Sequence, residues 1–462
     1  MSTLSETLAP LLRLDPEETR GRTRHIALGS DALPALAAWL ANGHAGSSVV
    51  VVSDAHTFEA AGEAVEAALV GHTGPVRRLI LEPRTGDDHL VCEDGVIDAL
   101  RTIGAAMPPS AVIVAVGAGT VNDIVKMASF QLGRDYVVVP TAASMNGYTS
   151  AIAAVLRGGV KRTLPAHQPV AIFADTVVLR AAPPHLTRAG FGDLLSKPVS
   201  QADWLLSHLV RDVPYSPRPG ALLDATFPTL LREAGAIGRA EPAGIALLME
   251  AILVSGFSMT VAGTSAPASG GEHLISHYWD MEQLDAGKPL MALHGTQVGI
   301  ATRLSALLWE QLMALDVPSL DLDALCARRA DNRWLASLET SHAALRPAVV
   351  AEIRDQLASK QRHGKAFRAE LERVRQRWPE IRATLEPSLF SSATITKALQ
   401  AAGCADRASA IGIDRARLIH TIVVCRHMRG RYVGLDLLDD LNVLDRWAVA
   451  AATATEEDRP WV

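Results

Sequence analysis

The feature that most constrains how this chain can fold is a change of texture near Pro184. Upstream of it, short β-branched runs alternate with helical patterns, the mark of βαβ units and a mostly parallel sheet. Val49–Val52, Val76–Leu81, Ala111–Val116 and Tyr136–Pro140 read as strands, as does VAIFAD ending at Asp175. Helical periodicity occupies the intervals that start at Phe58 and at Cys92. Downstream, strand-like runs stop and Ala/Leu-rich amphipathic patterns take over, as in GIALLMEAILVSGFSM and the stretch Thr296–Leu315. A chain of 462 residues is long for one core at ~150 residues per domain. The expectation is therefore an α/β N-terminal domain, residues 1–184, with a Rossmann-like, mostly parallel sheet, followed by an all-helical C-terminal domain, residues 185–462.

Composition removes several classes. With 48% hydrophobic and 20% charged residues the chain is ordinary for a globular protein, and a net charge of −6 gives no reason to expect a nucleic-acid partner. Cys92, Cys326, Cys404 and Cys425 lie far apart with no CxxC pair, so neither a thiolate zinc cluster nor a disulfide framework is suggested. The N-terminal segment has no apolar stretch of the secretory kind, and no segment approaches the ~18 uninterrupted apolar residues of a membrane span. A cytoplasmic enzyme is expected. The charged run Ser359–Trp378 reads as a solvated helix face.

Two loops in the first half carry candidate ligand chemistry. AVIVAVGAGTVNDIVKMASF runs from a buried strand through Gly117, Ala118, Gly119 and Thr120 into a helix beginning near Val121. Small residues there let backbone amides approach a pyrophosphate at a helix N-terminus. A second small-residue loop, Val139–Ser150, follows the next strand and offers Thr141, Ser144, Asn146 and Ser150. Both loops must leave the C-terminal edge of a parallel sheet, where ligands bind in open α/β folds, so one dinucleotide cleft is expected. The plain alternatives are a tight turn for the first loop and helix capping by Thr141 and Ser144 for the second. Asp54, after the first strong strand, is either a ribose ligand that favours NAD over NADP or a helix N-cap.

Three separated residues have the composition of an open catalytic metal site: Asp193 in GFGDLLSK, His273 in GEHLISH and His294 in LHGTQ. One carboxylate and two imidazoles leave a fourth position for water or a substrate oxygen, whereas a structural zinc site closes with four ligands rich in cysteine. Two glycines precede Asp193 and are expected to bring the backbone close to the domain junction ahead of a helical stretch. His273 and His277, four residues apart, share a helix face, one for metal and the other for substrate. His294 stands just before a glycine that starts a new helix. Taken singly, each of these residues reads as a helix cap or a hydrogen-bonded, half-buried imidazole. Their joint occurrence among small residues is what suggests the site.

Read together, GAGTVND, PTAASMNGYTS, GFGDLLSK, GEHLISH and LHGTQVG resemble in order and spacing the bacterial-type sn-glycerol-1-phosphate dehydrogenase family, of the dehydroquinate synthase-like and iron-containing alcohol dehydrogenase superfamily. The likeness spans nearly the whole chain, including the tail IDRARLIHTIVVCRHMRGRYVGLDLLDDLNVL. It implies a dehydroquinate synthase-like fold in a homodimer or larger homo-oligomer. The implied reaction is reversible hydride transfer from NAD(H) or NADP(H) to dihydroxyacetone phosphate, giving sn-glycerol 1-phosphate for phospholipid metabolism. It further implies that Asp193, His273 and His294 hold one divalent metal, zinc or nickel. Gly117, Ala118, Gly119, Thr120, Val121, Thr141, Ser144 and Ser150 would contact the dinucleotide, with Asp54 near its adenosine end. Asn146, Asp193, His277 and Lys161 would face the substrate, with Asp193 and His277 the catalytic side chains.

Three positions depart from that family's pattern. Ala118 replaces the middle of three consecutive glycines, which is tolerable where φ is negative. Asn146 stands where Asp is common, keeping a hydrogen bond to a hydroxyl but removing a charge, so another polyol or phosphorylated ketone is the alternative substrate. Thr296 stands where many relatives have Glu, which removes a candidate acid behind the metal ligands. A dehydroquinate-synthase-type cyclase is the alternative reaction, disfavoured because those enzymes carry Glu where GFGD has Asp193. A nucleotide-binding regulatory protein that has lost turnover is the non-enzymatic alternative.

Overall fold

The computed structural model describes residues 23–84, 90–157, 160–224, 226–329, 333–459 and 461. The chain forms two compact units, Met1–Leu194 with Arg218–Thr264, and Leu195–Pro217 with Ser265–Val462.

The strands of the first unit are His25–Gly29 (β1), Val49–Ser53 (β2), Val76–Ile80 (β3), Val112–Gly117 (β4), Tyr136–Pro140 (β5), Ile152–Arg157 (β6), Val160–Pro165 (β7) and Ala171–Asp175 (β8). Six of them make one sheet in the order β1-β8-β5-β4-β2-β3, with every pairing parallel. Parallel neighbours need crossovers, and helices supply most of them: Ala32–Gly43 (α1), the helical run 55–68 (α2), Asp94–Ala105 (α3) and Gly119–Leu132 (α4). β2, β4, β5 and β8 are buried along their whole length, which is why VVVVS, VIVAVG, YVVVP and AIFAD are continuous apolar runs. The core beneath them gathers Leu36 and Leu40 of α1, Val65 of α2, and Val51, Val114, Val137 and Phe173 of the sheet.

Two strand features escape a reading based on apolar runs. β1 lies at a sheet edge with only Ile26 buried, so its side chains carry little signal. β6 and β7 pair antiparallel as a separate hairpin, and β6 buries only Ala153 and Val155, alternate positions of a one-sided strand. Where the sequence reading sets one boundary after residue 184, contact places residues 218–264 with the sheet. The reason is the helix Pro242–Ala262 (α7), which packs beside Thr176–Ala181 (α5) and β1. By length and composition α7 is long and apolar enough to cross a membrane, the one such helix among the described residues. However, 72% of its apolar window is buried inside the protein, as in a core helix.

The second unit is helical throughout its described elements, among them Lys197–Arg211, Gly271–Asp285 (α8) and His294–Ala314 (α9). α8 and α9 pack against each other. The charged run expected as one helix face is broken: one helix ends at Lys360, and the next begins at Gly364, whose φ of 51° suits glycine. Phe367, Leu371, Val374 and Trp378 form a buried stripe on that second helix, so solvent covers only its other faces.

Candidate metal centre and nucleotide loops

β4 and β5 are neighbours with Gly117 opposite Pro140, so the loops that follow them leave one sheet edge side by side. The Thr141 amide donates to the Gly117 carbonyl at 3.2 Å, tying the loops together. Glycine fits closely at 117, where a Cβ would stand 2.5 Å from Val121 Cβ, and at 119, where a Cβ 2.9 Å from Met145 Cγ would make that side chain shift. Ala118 between them has φ of −82°, a conformation any L residue adopts, so its methyl is accommodated. α4 begins at Gly119, two residues earlier than expected, and its first-turn amides, those of Thr120 and Val121 included, have no intrahelical partner.

Asp54 leaves the neighbouring strand β2 at the same edge. Its Oδ1 accepts from the Thr57 amide at 2.7 Å and from Thr57 Oγ1 at 3.0 Å. The Asp54 amide in turn donates to Thr57 Oγ1 at 3.0 Å, completing a capping box on α2. The N-cap role is therefore filled, through one of the two carboxylate oxygens.

Lys126 is a support that the sequence reading misses. Fully buried on α4, its ammonium donates to the carbonyls of Gly147 at 2.6 Å and Ile152 at 3.1 Å, and to Ser150 Oγ at 3.3 Å, with Asp123 3.5 Å away. Burial pushes its pKa below the usual lysine value. Ser150 Oγ lies within hydrogen-bond distance of the Gly147 and Ile152 carbonyls as well, so this hydroxyl is engaged inside its own loop. A lysine at an inward position of the VNDIVKMAS pattern is the signal that marks Lys126 in sequence. Thr141 is buried and Ser144 half-buried on the same loop.

Asp193 lies in the last turn of Pro184–Leu195 (α6), so the glycines before it are inside a helix instead of ahead of one. Gly190 explains why: a Cβ there would collide with the Ala143 carbonyl, and its absence lets α6 lie against the loop. The Asn146 amide consequently donates to Asp193 Oδ2 at 3.2 Å, and Asp193 is 1% exposed. The side-chain Nδ2 of Asn146 is buried with no hydrogen-bond partner. Lys161 is on β7 opposite Leu156, and its side chain lies outside the described residues.

In the second unit, α8 carries His273 and His277, and His294 is the first residue of α9. Their ring centroids are 5.1 Å apart for His273 and His294, 5.3 Å for His277 and His294, and 5.9 Å for His273 and His277. His273 Nδ1 donates to Glu272 Oε1 at 2.7 Å, and the Gly270 amide holds the same oxygen at 2.8 Å. An imidazole whose Nδ1–H is given to a carboxylate offers its Nε2 lone pair to a metal, so Glu272 is the orienting acid for His273. Asp203 fixes the start of α8 by accepting from the Gly271 amide at 2.6 Å, and it accepts from the Gly434 amide at 2.6 Å. Burial, and then the nearby Glu272, raise its pKa to about 8. The half-buried His277 stacks on His294 with 19° between ring planes. The imidazole donors of His273 and His294 fit a borderline divalent cation. Asp193 belongs to the first unit, two residues before the second begins at Leu195.

Residues 27–183 match the family described as iron-containing alcohol dehydrogenase. The chain is 39% identical over 262 residues to the glycerol-1-phosphate dehydrogenase (NAD(P)+) of Halalkalibacterium halodurans, covering 57% of this chain and 65% of that one. It is 36% identical over 280 residues to the enzyme of the same name from Bacillus subtilis, covering 61% and 70% respectively. Among solved structures, a probable glycerol dehydrogenase from Sinorhizobium meliloti superposes with a TM-score of 0.57 over 93% of this chain and 98% of its own, at 18% identity, a likeness of fold.

Proposed function

This chain belongs to the glycerol-1-phosphate dehydrogenase family, and on that footing we propose that it is a metal-dependent, NAD(P)-linked dehydrogenase that reversibly reduces dihydroxyacetone phosphate to sn-glycerol 1-phosphate. The observation that carries the reading is the pair His273 and His294, with rings 5.1 Å apart, each with its Nδ1 engaged in a hydrogen bond. Asp193, His273 and His294 are assigned as ligands of one divalent cation, zinc or nickel. When bound, the cation supplies Lewis acidity at the ketone carbonyl and the nicotinamide supplies the hydride.

The protein's own groups bind, orient and move a proton. The free amides at the start of α4 suit the pyrophosphate, with Thr141 and Ser144 beside it on the next loop and the remaining oxygen of Asp54 available to a ribose. Asn146 offers a buried, unpartnered N–H to a substrate oxygen. His277 is assigned the proton that the new hydroxyl takes up, since imidazole exchanges protons near neutral pH. Lys161 is assigned to the substrate phosphate. A cytoplasmic location and a homo-oligomeric state complete the proposal.

The test is oxidation of NADH and NADPH by the metal-loaded chain with dihydroxyacetone phosphate, dihydroxyacetone and related ketones, with chiral analysis of the product. Turnover of the phosphorylated ketone to the sn-1 product is expected. Turnover confined to unphosphorylated ketones would overturn the glycerol-phosphate assignment and favour a related polyol dehydrogenase, the reading that the neutral amide of Asn146 supports.

A further inference from the structure

A line of buried side chains runs behind His294, and its hydrogens can be placed one by one. Ser276 and Asp280 are four residues apart on α8, and Gln297 is three residues after His294 on α9, so each pair shares a helix face. Gln297 Nε2 lies 2.9 Å from Asp280 Oδ1 and 3.1 Å from the Ala292 carbonyl. The Ala292 oxygen can only accept, so the amide nitrogen of Gln297 faces that side and its Oε1 faces Ser276. Ser276 Oγ lies 3.0 Å from that Oε1, which also can only accept, so the single hydroxyl hydrogen of Ser276 is given to Gln297. What Ser276 turns toward His294 Nδ1, 3.1 Å away, is therefore a lone pair, and Nδ1 must be the donor. Gln297, Ser276 and Asp280 are almost wholly buried, so water does not compete for these bonds.

We propose that Ala292, Asp280, Gln297 and Ser276 form a positioning relay that keeps the proton of His294 on Nδ1, so that Nε2 carries a lone pair for the cation. The inference rests on the metal-site reading above and adds to it the residues that prepare one ligand. Without the relay, neutral imidazole favours carrying its proton on Nε2, the atom the cation needs. The two histidines are then prepared by different means, His273 by the carboxylate of Glu272 and His294 by a neutral hydroxyl whose own hydrogen is pinned. Thr296 takes no part in the relay. The orienting group that its family position suggests is supplied one residue later, by Gln297.

The experiment uses the full chain stripped of metal and titrated with zinc against a chromophoric chelator, and it reads affinity without turnover. Ser276→Ala removes one hydroxyl and is expected to weaken zinc binding by about 10- to 100-fold. In the metal-free wild type, long-range proton–nitrogen correlation, assigned with His294→Gln, is expected to show His294 protonated on Nδ1. Ser276→Ala should move that proton toward Nε2. The spectrum of the wild type needs no variant to fold. A wild-type His294 carrying its proton on Nε2, or a folded Ser276→Ala that binds zinc as tightly as the wild type, overturns the relay and leaves the metal site standing. A wild type that takes up no zinc, or a His273→Ala that binds it equally well, overturns the metal site and the relay with it.

Discussion

The two units present their candidate site residues by different physics. In the sheet-bearing unit the backbone does the placing: strand ends set the loops side by side, and Gly117, Gly119 and Gly190 let chains approach where a Cβ would collide. In the helical unit the side chains do it, through buried hydrogen bonds that His273 donates to Glu272 and that run from His294 through Ser276 to Gln297. A steric arrangement fails when an atom is added, whereas a hydrogen-bonded one fails when a proton moves. The two units should therefore answer to different perturbations.

Acid is the perturbation that ought to strike the helical unit, and with the largest effect. Tyr278 on α8 has its hydroxyl 3.0 Å from His342 Nδ1 and 3.5 Å from His420 Nε2, and His342 Nε2 lies 3.1 Å from His427 Nδ1. Burial pushes His342 from the ordinary 6.5 down to about 4, and burial with the nearby Arg426 pushes His427 well below its ordinary value. Both imidazoles are thus neutral in the folded protein at pH values where the unfolded chain binds protons. The stability they contribute is complete above about pH 6.5 and is lost as the pH falls from there through the folded-state value near 4. For His342 alone the loss amounts to about 2 kcal/mol by about pH 5 and approaches about 3 kcal/mol below the folded-state value. Urea unfolding at about pH 7 and about pH 5 should show it, and His342→Gln should flatten the dependence. A wild type equally stable at both pH values breaks the comparison.

For the sheet-bearing unit the matching perturbation is a methyl group. Gly190→Ala puts a Cβ against the Ala143 carbonyl, which must push α6 from the loop that carries Asn146. A loss of about 2 kcal/mol is expected. The control is Gly43→Ala at the end of α1, where a Cβ meets open space, with a change within about 0.5 kcal/mol. Thermal unfolding of the two variants decides the matter, and equal melting temperatures would mean that the close approach at Gly190 does not matter.

The same contrast explains what can be read from the sequence. The central strands are legible because burial on both faces makes them unbroken apolar runs, and the glycine-rich loops because a tight turn needs residues without side chains. β1 and β6 are not legible in this way, since each buries few side chains and so leaves too short a pattern. The histidines stand out by residue type. Their supports do not, because Ser276 and Gln297 are ordinary helix residues until the fold decides which group each one meets. Glu272 is the exception, being next to His273 in the chain. The association of residues 218–264 with the sheet escapes for a related reason: an all-apolar helix carries no mark of which core it joins.

The smallest effect concerns Asp54, where the backbone rule of the first unit and the charge rule of a ligand site meet in one residue. Its Oδ1 is committed to Thr57, and that cap is a steric and hydrogen-bonding feature that asparagine can reproduce. Asp54→Asn should therefore leave thermal stability almost unchanged, while Asp54→Ala loses about 1 kcal/mol. If the other oxygen also receives a ribose hydroxyl, the negative charge is what disfavours a 2′-phosphate. Asp54→Asn should then shift the ratio of kcat/KM for NADPH and NADH toward NADPH at constant stability. An unchanged ratio with the expected loss in Asp54→Ala would leave Asp54 a helix cap alone. Its role would then be wholly of the first unit's kind, with no share in choosing the cofactor.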